Sequence, residues 1–300
     1  MFRLAHVSDL HVLAPAGVQL RRVLFNKRVT GYANLLTQRA RVYRQERLVA
    51  VLAEAARQSD HLVVTGDITN LSLEGEYEEA RRLLDEVTRQ VEVSVIPGNH
   101  DIYLPATLRQ RRFPHHFASF MRSDLPHLAL ALPAGHFPFV KLRGPVAIIG
   151  LSSAVPRPPF VSAGYLGKAQ LEALGRVLAH PEVTRRLPVV LVHHSPFDSR
   201  LRLEQLRGGL VDAPALRQTL APLSRGLVLY GHLHVRSHRP LGRLDAICAS
   251  AAALEHPDDR VRSGLNLYPV DEAGAVGALH ARVLDPARER FEQFELRAPR

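Results

Sequence analysis

Cysteine, long apolar runs and aromatic side chains are all scarce in this chain. Its single cysteine, Cys248, excludes an internal disulfide, and its position in the apolar run 246–253 predicts a small buried side chain rather than a nucleophile. The longest apolar runs, such as 146–151 and 188–192, are far shorter than the roughly 20 residues of a membrane-spanning helix. The chain also shows no signal-peptide pattern, internal repeat or low-complexity linker. We therefore predict a globular cytoplasmic protein.

Positive charge, by contrast, is in excess and unevenly distributed. The formal net charge is +10, and the first 50 residues hold nine Lys or Arg against Asp9 and Glu46, a local balance of +7. This excess favours an anionic partner, such as a phosphate substrate, a nucleic acid or an acidic membrane surface, although an arginine-rich solvated surface would give the same count. Aromatic residues for base stacking make up 6% with no Trp, so nucleic acid is the least favoured of the three.

The alternation of apolar runs with segments of helical period predicts an α/β protein built from layers. Three helical stripes, at 49–56, 77–91 and 171–178, repeat apolar residues at spacings of three and four. After residue 234 the pattern changes to successive strands with little helix, which we expect to close a second sheet over residues 245–296. The predicted strands are 2–7, 61–65, 91–96, 146–150, 188–192, 227–230, 245–252, 265–270 and 276–284.

Residues of the kind that bind metals follow five of these apolar runs. Side chains two apart on an extended segment point to the same side, so Asp9 can act with His11, and His232 with His234. Sites in open α/β sheets form at the carboxyl ends of strands, where we expect these segments to meet. A glycine precedes a ligand type in three segments, which allows a close backbone approach. The segments are Asp9-Leu10-His11, Gly66-Asp67, Gly98-Asn99-His100-Asp101, His193-His194 and Gly231-His232-Leu233-His234.

The ligand types in these segments indicate the metal. Imidazole, carboxylate and amide oxygen without thiolate suit Mn, Fe, Zn, Ni or Co. The ligands exceed what one ion needs, so we predict two ions about 3.5–4 Å apart, bridged by a carboxylate and a hydroxide and suited to in-line attack at phosphorus. One such segment alone would be weak evidence; five in order carry the prediction. The proposed ligands are Asp9, His11, Asp67, Asn99, His193, His232 and His234.

The order Asp-x-His, Gly-Asp, Gly-Asn-His-Asp, strand-ending His and Gly-His-x-His resembles that of the calcineurin-like metallophosphoesterases. The similarity runs from residue 2 to about residue 235, with the metal motifs at 9–234. It implies a single domain over residues 1–300 and a four-layer αββα sandwich of two mixed β-sheets flanked by helices. The metal site would lie at the carboxyl ends of the strands.

The same resemblance implies roles for individual residues. Asp9, His11 and His234 would hold one ion, Asp67 would bridge, and the second ion would bind Asn99, His193 and His232, with Mn or Fe expected and Zn, Ni or Co as alternatives. His100 would contact the phosphate as general acid or charge stabiliser, with Asp101 orienting its ring. A turn or cap role for Asp101 is an alternative. Because His193 and His194 are adjacent, we choose His193, the first to leave the strand.

The substrate is predicted less sharply. The segments 65–70 and 193–196 resemble the bacterial branch similar to class III cyclic-nucleotide phosphodiesterases, which favours a small or medium-sized phosphodiester. Alternatively, the basic segment 18–34 docks on the anionic inner face of a membrane and supplies a lipid-linked diester or pyrophosphate, such as a nucleotide-diphosphate lipid precursor; an ordinary capping helix would explain it equally. A nuclease ranks lower, and the intact ligands disfavour a non-catalytic scaffold. The oligomeric state stays open. Candidate substrate-binding residues are Arg21, Arg22, Lys27, Arg28 and His194.

Overall fold

The computed structural model describes residues 1–13, 43–199, 201–285, 287–288 and 290–298, in which two six-stranded sheets dominate. The first sheet has the order β14-β13-β12-β1-β2-β3, and the second has the order β10-β11-β9-β8-β7-β6. Strands β4 and β5 form a separate pair. The strands are β1 (Phe2–Val7), β2 (His61–Val64), β3 (Glu92–Val95), β4 (Leu130–Leu132), β5 (Gly135–Phe137), β6 (Phe139–Arg143), β7 (Val146–Gly150), β8 (Leu187–Leu191), β9 (Leu227–Tyr230), β10 (Ser237–Leu241), β11 (Leu244–Cys248), β12 (Gly264–Val270), β13 (His280–Asp285) and β14 (Arg290–Glu295).

The helices of the described residues form at the predicted apolar stripes and in the loops between strands. The stripes fold into α1, α2 and α5, whose buried residues repeat at helical spacing. Two 3₁₀ segments occur at Ala118–Met121 and Pro126–Leu128. The α-helices are α1 (Gln45–Gln58), α2 (Glu74–Thr88), α3 (Pro105–Arg109), α4 (Arg112–Phe117), α5 (Lys168–Leu178), α6 (Pro181–Thr184), α7 (Arg202–Gly208) and α8 (Ala213–Leu220).

Alternation along the buried strands produces the layers. In β8, Val189 and Leu191 pack in one core cluster with residues of the first sheet, whereas Val190 packs in another cluster with α5 and α8. Residues two apart on a strand share a face, so one face of β8 meets the other sheet and the opposite face meets helices. The first cluster also holds residues of α1 and α2. Two mixed sheets flanked by helices are therefore present, which confirms the predicted fold class.

The parallel strands end at the same level, and this alignment places the site. Val7, Val64 and Val95, each the last residue of its strand, are register partners across β1, β2 and β3. In the second sheet Leu191 of β8 pairs with Leu229 of β9. The chain therefore leaves five neighbouring strand ends near one edge of the two sheets, as the sequence predicts.

The expected closing strands differ from prediction in one respect. Of the strands within residues 245–296, only β11 joins the second sheet, whereas β12, β13 and β14 extend the first sheet. The reason is that β1 presents an unpaired edge opposite β2, and β12 pairs with that edge antiparallel from Phe2 to His6. The predicted strand 276–284 begins later, at His280, and before it the carboxylate of Asp271 accepts a hydrogen bond from the amide of Ala275 in a turn. Cys248 is buried, as predicted.

An ion network joins the edges of the two sheets. The ammonium of Lys141 on β6, which is 2% exposed, lies 3.1 Å from Glu92 Oε1 and donates to the carbonyl of Val93 at 3.0 Å. Arg143 donates to the same Glu92 oxygen at 2.8 Å. The hydrogen bond from Arg143, followed by that from His61, holds the pKa of Glu92 well below its usual range. Glu92 therefore keeps the buried lysine paired.

Among the described residues, no helix combines the length and the apolar character that crossing a bilayer requires.

Candidate metal centre

The predicted ligands of both sheets converge at the strand ends. The donor atoms of Asp9, His11, Asp67 and His234 all lie within 4.8 Å of one another, and His193 and His232 fall in a second such group. The two groups adjoin, since His193 Nε2 lies 3.4 Å from Asp67 Oδ2. Asn99 completes the set, with its Oδ1 at 3.2 Å from His193 Nε2. All seven residues selected from the sequence are thus brought together.

The backbone at these ligands is left-handed, which the sequence analysis did not foresee. Side chains two apart converge here because both members of a pair take positive φ just beyond the strand, and not because the strand stays straight. Asp and His tolerate this conformation better than most residues, but each instance still costs roughly 1–3 kcal/mol. The φ angles are 52° at Asp9, 46° at His11, 51° at Asp67, 67° at His232 and 55° at His234.

Two glycines let these loops approach one another. A Cβ on Gly98 would lie 2.2 Å from Oδ1 and 2.3 Å from the backbone N of Asp67. A Cβ on Gly231 would lie 1.8 Å from Ser8 Oγ and 2.5 Å from Asp9 Oδ2, so this glycine brings the second sheet against the first. All four distances are far below any ordinary carbon contact. These two positions therefore require glycine for the close approach of one ligand loop to another.

The arrangement of donor atoms fits cations. Asp9 Oδ1 is buried and has no hydrogen-bond donor in the described part of the chain, although His234 Nε2 lies 3.0 Å away. The Nε2 atoms of His11 and His234 face each other at 3.3 Å. Burial acts to raise the pKa of Asp9, but the charge and close contact of His234, together with the charge of His193, hold that pKa below its usual range. Converging lone pairs and an ionised carboxylate make this a suitable place for a divalent ion.

Neighbouring groups fix the orientation of two of the imidazole rings. His193 donates from Nδ1 to the carbonyl of Thr65 at 2.7 Å, which turns Nε2 toward Asn99 and Asp67. Nδ1 of His234 lies 3.1 Å from the hydroxyl of Tyr43, so an Nδ1–H can donate to that oxygen and leave Nε2 for an ion. Such partners hold a metal-binding histidine in the required tautomer. This orientation of His193 is the one that the predicted choice of His193 over His194 requires.

Sequence reasoning missed two residues that support the centre. Tyr43 is buried, and its ring meets His11 edge-on at 5.0 Å as well as reaching His234. Asn70 donates from its side chain to the carbonyls of His11 and Val12 at 2.7 and 2.9 Å. No sequence spacing identifies Tyr43 as a partner of the ligands, because it lies far from both His11 and His234 in the chain. Asn70 belongs to the segment 65–70, and a polar residue just after the Gly-Asp motif was the available signal.

His100 lies where a catalytic residue is expected, but Asp101 does not act as predicted. The ring of His100 meets that of His11 at 5.1 Å, and its backbone N donates to Asp67 Oδ1 at 2.8 Å. The carbonyl of Asn70, rather than Asp101, accepts the hydrogen bond from His100 Nδ1 at 2.5 Å.

Asp101 instead ties two ligand loops together. Its buried carboxylate accepts hydrogen bonds from the amides of Thr69 at 2.8 Å and Gly98 at 2.9 Å. Burial, followed by the charge of Asp67, raises the pKa of Asp101 to about 7. Asp101 therefore connects the loop that carries Asp67 to the loop that carries Asn99, which agrees with the alternative turn role and corrects the catalytic one.

Of the five candidate substrate-binding residues, the structure describes only His194. His194 is grouped by distance with His193 and His232, but its Nδ1 accepts from Ser153 Oγ at 2.8 Å and its Nε2 donates to the carbonyl of Ser162 at 2.7 Å. With both nitrogens occupied inside the protein, His194 supports a loop rather than a substrate, which corrects the prediction. Four further candidates lie outside the described residues: Arg21, Arg22, Lys27 and Arg28.

Comparison with known proteins agrees with this geometry. A family model described as calcineurin-like phosphoesterase matches residues 2–236. A dimetal phosphatase from Danio rerio has a similar structure, with a TM-score of 0.55 and 14% identity over 99% of each chain. A purple acid phosphatase from yellow lupin (Lupinus luteus) seeds has a TM-score of 0.56 and 12% identity, over 99% of this chain and 54% of the other.

A third structure, the sulfate thiohydrolase SoxB of Thermus thermophilus, has a TM-score of 0.50 and 20% identity, over 97% of this chain and 58% of the other. At these identities the likeness concerns the fold. No curated protein matches the chain in sequence.

Proposed function

Since the chain belongs to the family of calcineurin-like phosphoesterases, we propose that it hydrolyses a phosphodiester at a centre of two metal ions. The observation that supports this proposal is that donor atoms from four strand ends of the two sheets form two adjoining groups, one around Asp9 and one around His193, and that Asn99 joins the second group from a fifth strand end. Such a pair of sites suits in-line displacement at phosphorus. Manganese and iron are the ions we propose, with zinc, nickel and cobalt as alternatives that the same donors accept.

The roles we propose follow from position. Asp67 has one oxygen 3.4 Å from His193 and belongs to the group of Asp9, which supports it as the bridging ligand. Two ions held by these residues would supply a hydroxide from water near neutral pH and would polarise the phosphoryl oxygens. His100 stands beside this centre with its Nδ1 fixed by Asn70, so the opposite ring nitrogen can deliver a proton to the leaving oxygen.

Two observations support a diester over a monoester. Among the residues that the structure describes, the candidate ligands contact histidines, Tyr43 and backbone groups rather than lysine or arginine. A monoester carries an additional negative charge, which enzymes commonly pair with a guanidinium. The resemblance of segments 65–70 and 193–196 to bacterial phosphodiesterases points the same way.

The experiment compares bis-p-nitrophenyl phosphate with p-nitrophenyl phosphate, using metal-stripped protein to which each ion is returned separately. We expect manganese or iron to restore turnover of the diester in preference to the monoester. Faster turnover of the monoester would overturn the diester assignment. Hydrolysis of neither ester under any ion would contradict the proposal as a whole.

The role of His100 is tested by the leaving group. His100→Asn should slow an alkyl diester by roughly 100-fold or more, because an alkoxide needs a proton. A p-nitrophenyl diester should slow much less, since its phenolate leaves without one. His136→Asn, at an exposed histidine on β5, is the matched control. Equal losses on both esters would assign His100 to binding rather than to proton transfer.

A further inference from the structure

Large apolar side chains that are exposed concentrate in one part of the described chain. Eight of the eleven such residues fall between positions 160 and 235. Exposed apolar residues scattered singly are ordinary, but a concentration beside a site is typical of an interaction surface. The eight are Phe160, Tyr165, Leu201, Leu203, Leu206, Val211, Leu233 and Val235.

Three segments that carry these residues meet beside the metal centre. The amide of Ser162, two residues after Phe160, donates to the carbonyl of Arg207 in α7 at 2.7 Å. A Cβ on Gly208, the last residue of α7, would lie 3.8 Å from His232 Nε2. The exposed Leu233 lies between His232 and His234 in the sequence. The turn that carries Phe160, helix α7 and the segment that carries Leu233 therefore adjoin one another on the His232 side of the candidate ligands.

Helix α7 presents a defined outer face. Positions on an α-helix advance by about 100°, so Leu203 and Leu206 lie about 60° apart, with Arg202 on one side of them and Arg207 on the other. Leu203 is 58% exposed and Leu206 is 51% exposed, and both arginines are exposed as well. The opposite face turns inward, where Gln205 bonds the amide of Ser199 and the carbonyl of Leu210.

Phe160 extends this surface from a neighbouring turn. It follows Pro158 and Pro159, and the amide of Val161 donates to the carbonyl of Pro158 across the turn. The residue is 87% exposed and has a φ of 63°, a conformation that bulky side chains rarely adopt. The turn therefore holds an aromatic ring outward, although burial would stabilise it.

We propose that Phe160, Leu203, Leu206, Leu233 and Val235, here called the apolar rim, dock the protein on an anionic membrane surface. Leucines that project between two arginines match the boundary between acyl chains and acidic headgroups, since the guanidinium groups can pair with phosphates while the leucines enter the apolar layer. The net charge of +10 adds a long-range attraction to such a surface. The rim consists of a projecting helix face and a turn, not a groove. Such a shape fits a deformable lipid layer better than it fits a partner that must insert into a groove.

Vesicle flotation of the full-length protein tests this docking. We expect the protein to bind vesicles of phosphatidylcholine with phosphatidylglycerol and to bind pure phosphatidylcholine much more weakly. Leu203→Glu combined with Leu206→Glu should lower partitioning onto the acidic vesicles roughly tenfold or more. Arg202→Gln combined with Arg207→Gln should also weaken it and reduce its dependence on salt.

Matched controls are Val49→Glu and Phe294→Glu, at exposed apolar positions outside the rim, which should bind as the unmodified protein does. Absence of binding to acidic vesicles, equal loss in the controls, or unchanged binding of the Leu203/Leu206 variant would overturn the proposal. Self-association through the rim without vesicle binding would overturn it too. Turnover of a soluble diester, measured without vesicles, reports on the proposed hydrolysis separately, because docking needs no catalysis.

Discussion

Replacing Gly98 by alanine should disable the centre by moving a single carboxylate. The added Cβ would stand 2.2 Å from Asp67 Oδ1 and 2.3 Å from Asp67 N, against an ordinary contact of 3.4 Å or more. Rotation of the carboxylate can relieve the first contact but not the second, since the second involves backbone. Relief therefore requires Asp67 and Gly98 to separate by about 1 Å, and a misplacement of that size costs roughly 100-fold in rate.

The assay measures kcat/KM for bis-p-nitrophenyl phosphate in saturating metal, together with bound metal per chain by mass spectrometry. Gly98→Ala should lose turnover and part of its metal while circular dichroism shows that the fold persists. Gly175→Ala is the matched control, because its Cβ meets nothing within 4 Å and it lies in helix α5. That variant should keep full activity and gain up to about 1 kcal/mol of stability. Unimpaired turnover and metal content in Gly98→Ala would refute the reasoning.

Three further predictions address other contacts. Asp67→Ala should abolish turnover and lower bound metal, because both groups of ligands lose a donor; retained turnover at full metal occupancy would contradict the bridging role. Tyr43→Phe should weaken metal affinity roughly tenfold or more in a chelator competition, since His234 loses its Nδ1 partner. Glu92→Gln should cost roughly 1–2 kcal/mol of unfolding free energy at neutral pH, because Lys141 stays buried without its counterion. The pKa of Glu92 is depressed in the folded state. The difference in unfolding free energy between the unmodified protein and Glu92→Gln, measured by urea titration, should therefore be complete above about pH 4.5 and shrink below it.

The sequence was most informative where the chemistry is local. Each candidate ligand directly follows an apolar run, so strand prediction and residue type together were enough to select Asp67, Asn99 and His232. The glycine before each of these residues predicted that two backbone segments approach closely. The short distances at Gly98 and Gly231 agree with that prediction. Most strand bounds shifted by a residue or so, whereas the predicted strand 245–252 ends at Cys248 and the predicted strand 276–284 begins at His280. Apolar character does not show where the last ladder hydrogen bond forms.

Contacts between distant segments could not be predicted in this way. Tyr43 reaches His234 across nearly two hundred positions, and its surroundings in sequence resemble any amphipathic stretch. The inward turn of Asp101 depends on amides of the loop that carries Asp67, which hydrophobic patterning does not describe. Likewise, the pairing of β12 with β1 was decided by an available sheet edge, whereas periodicity reports only that β12 is a strand.

The division of the ligands between the two sheets has a consequence for evolution and engineering. Asp9, Asp67 and Asn99 follow strands of the first sheet, and His193 and His232 follow strands of the second. The distances between candidate ligands of different sheets therefore depend on how closely the sheets stack, and that stacking depends on side-chain volume in the layer between them. A change from Val to Ile in that layer, remote from any ligand, should alter those distances. Substitutions at interior positions that never contact a substrate should therefore change the catalytic rate.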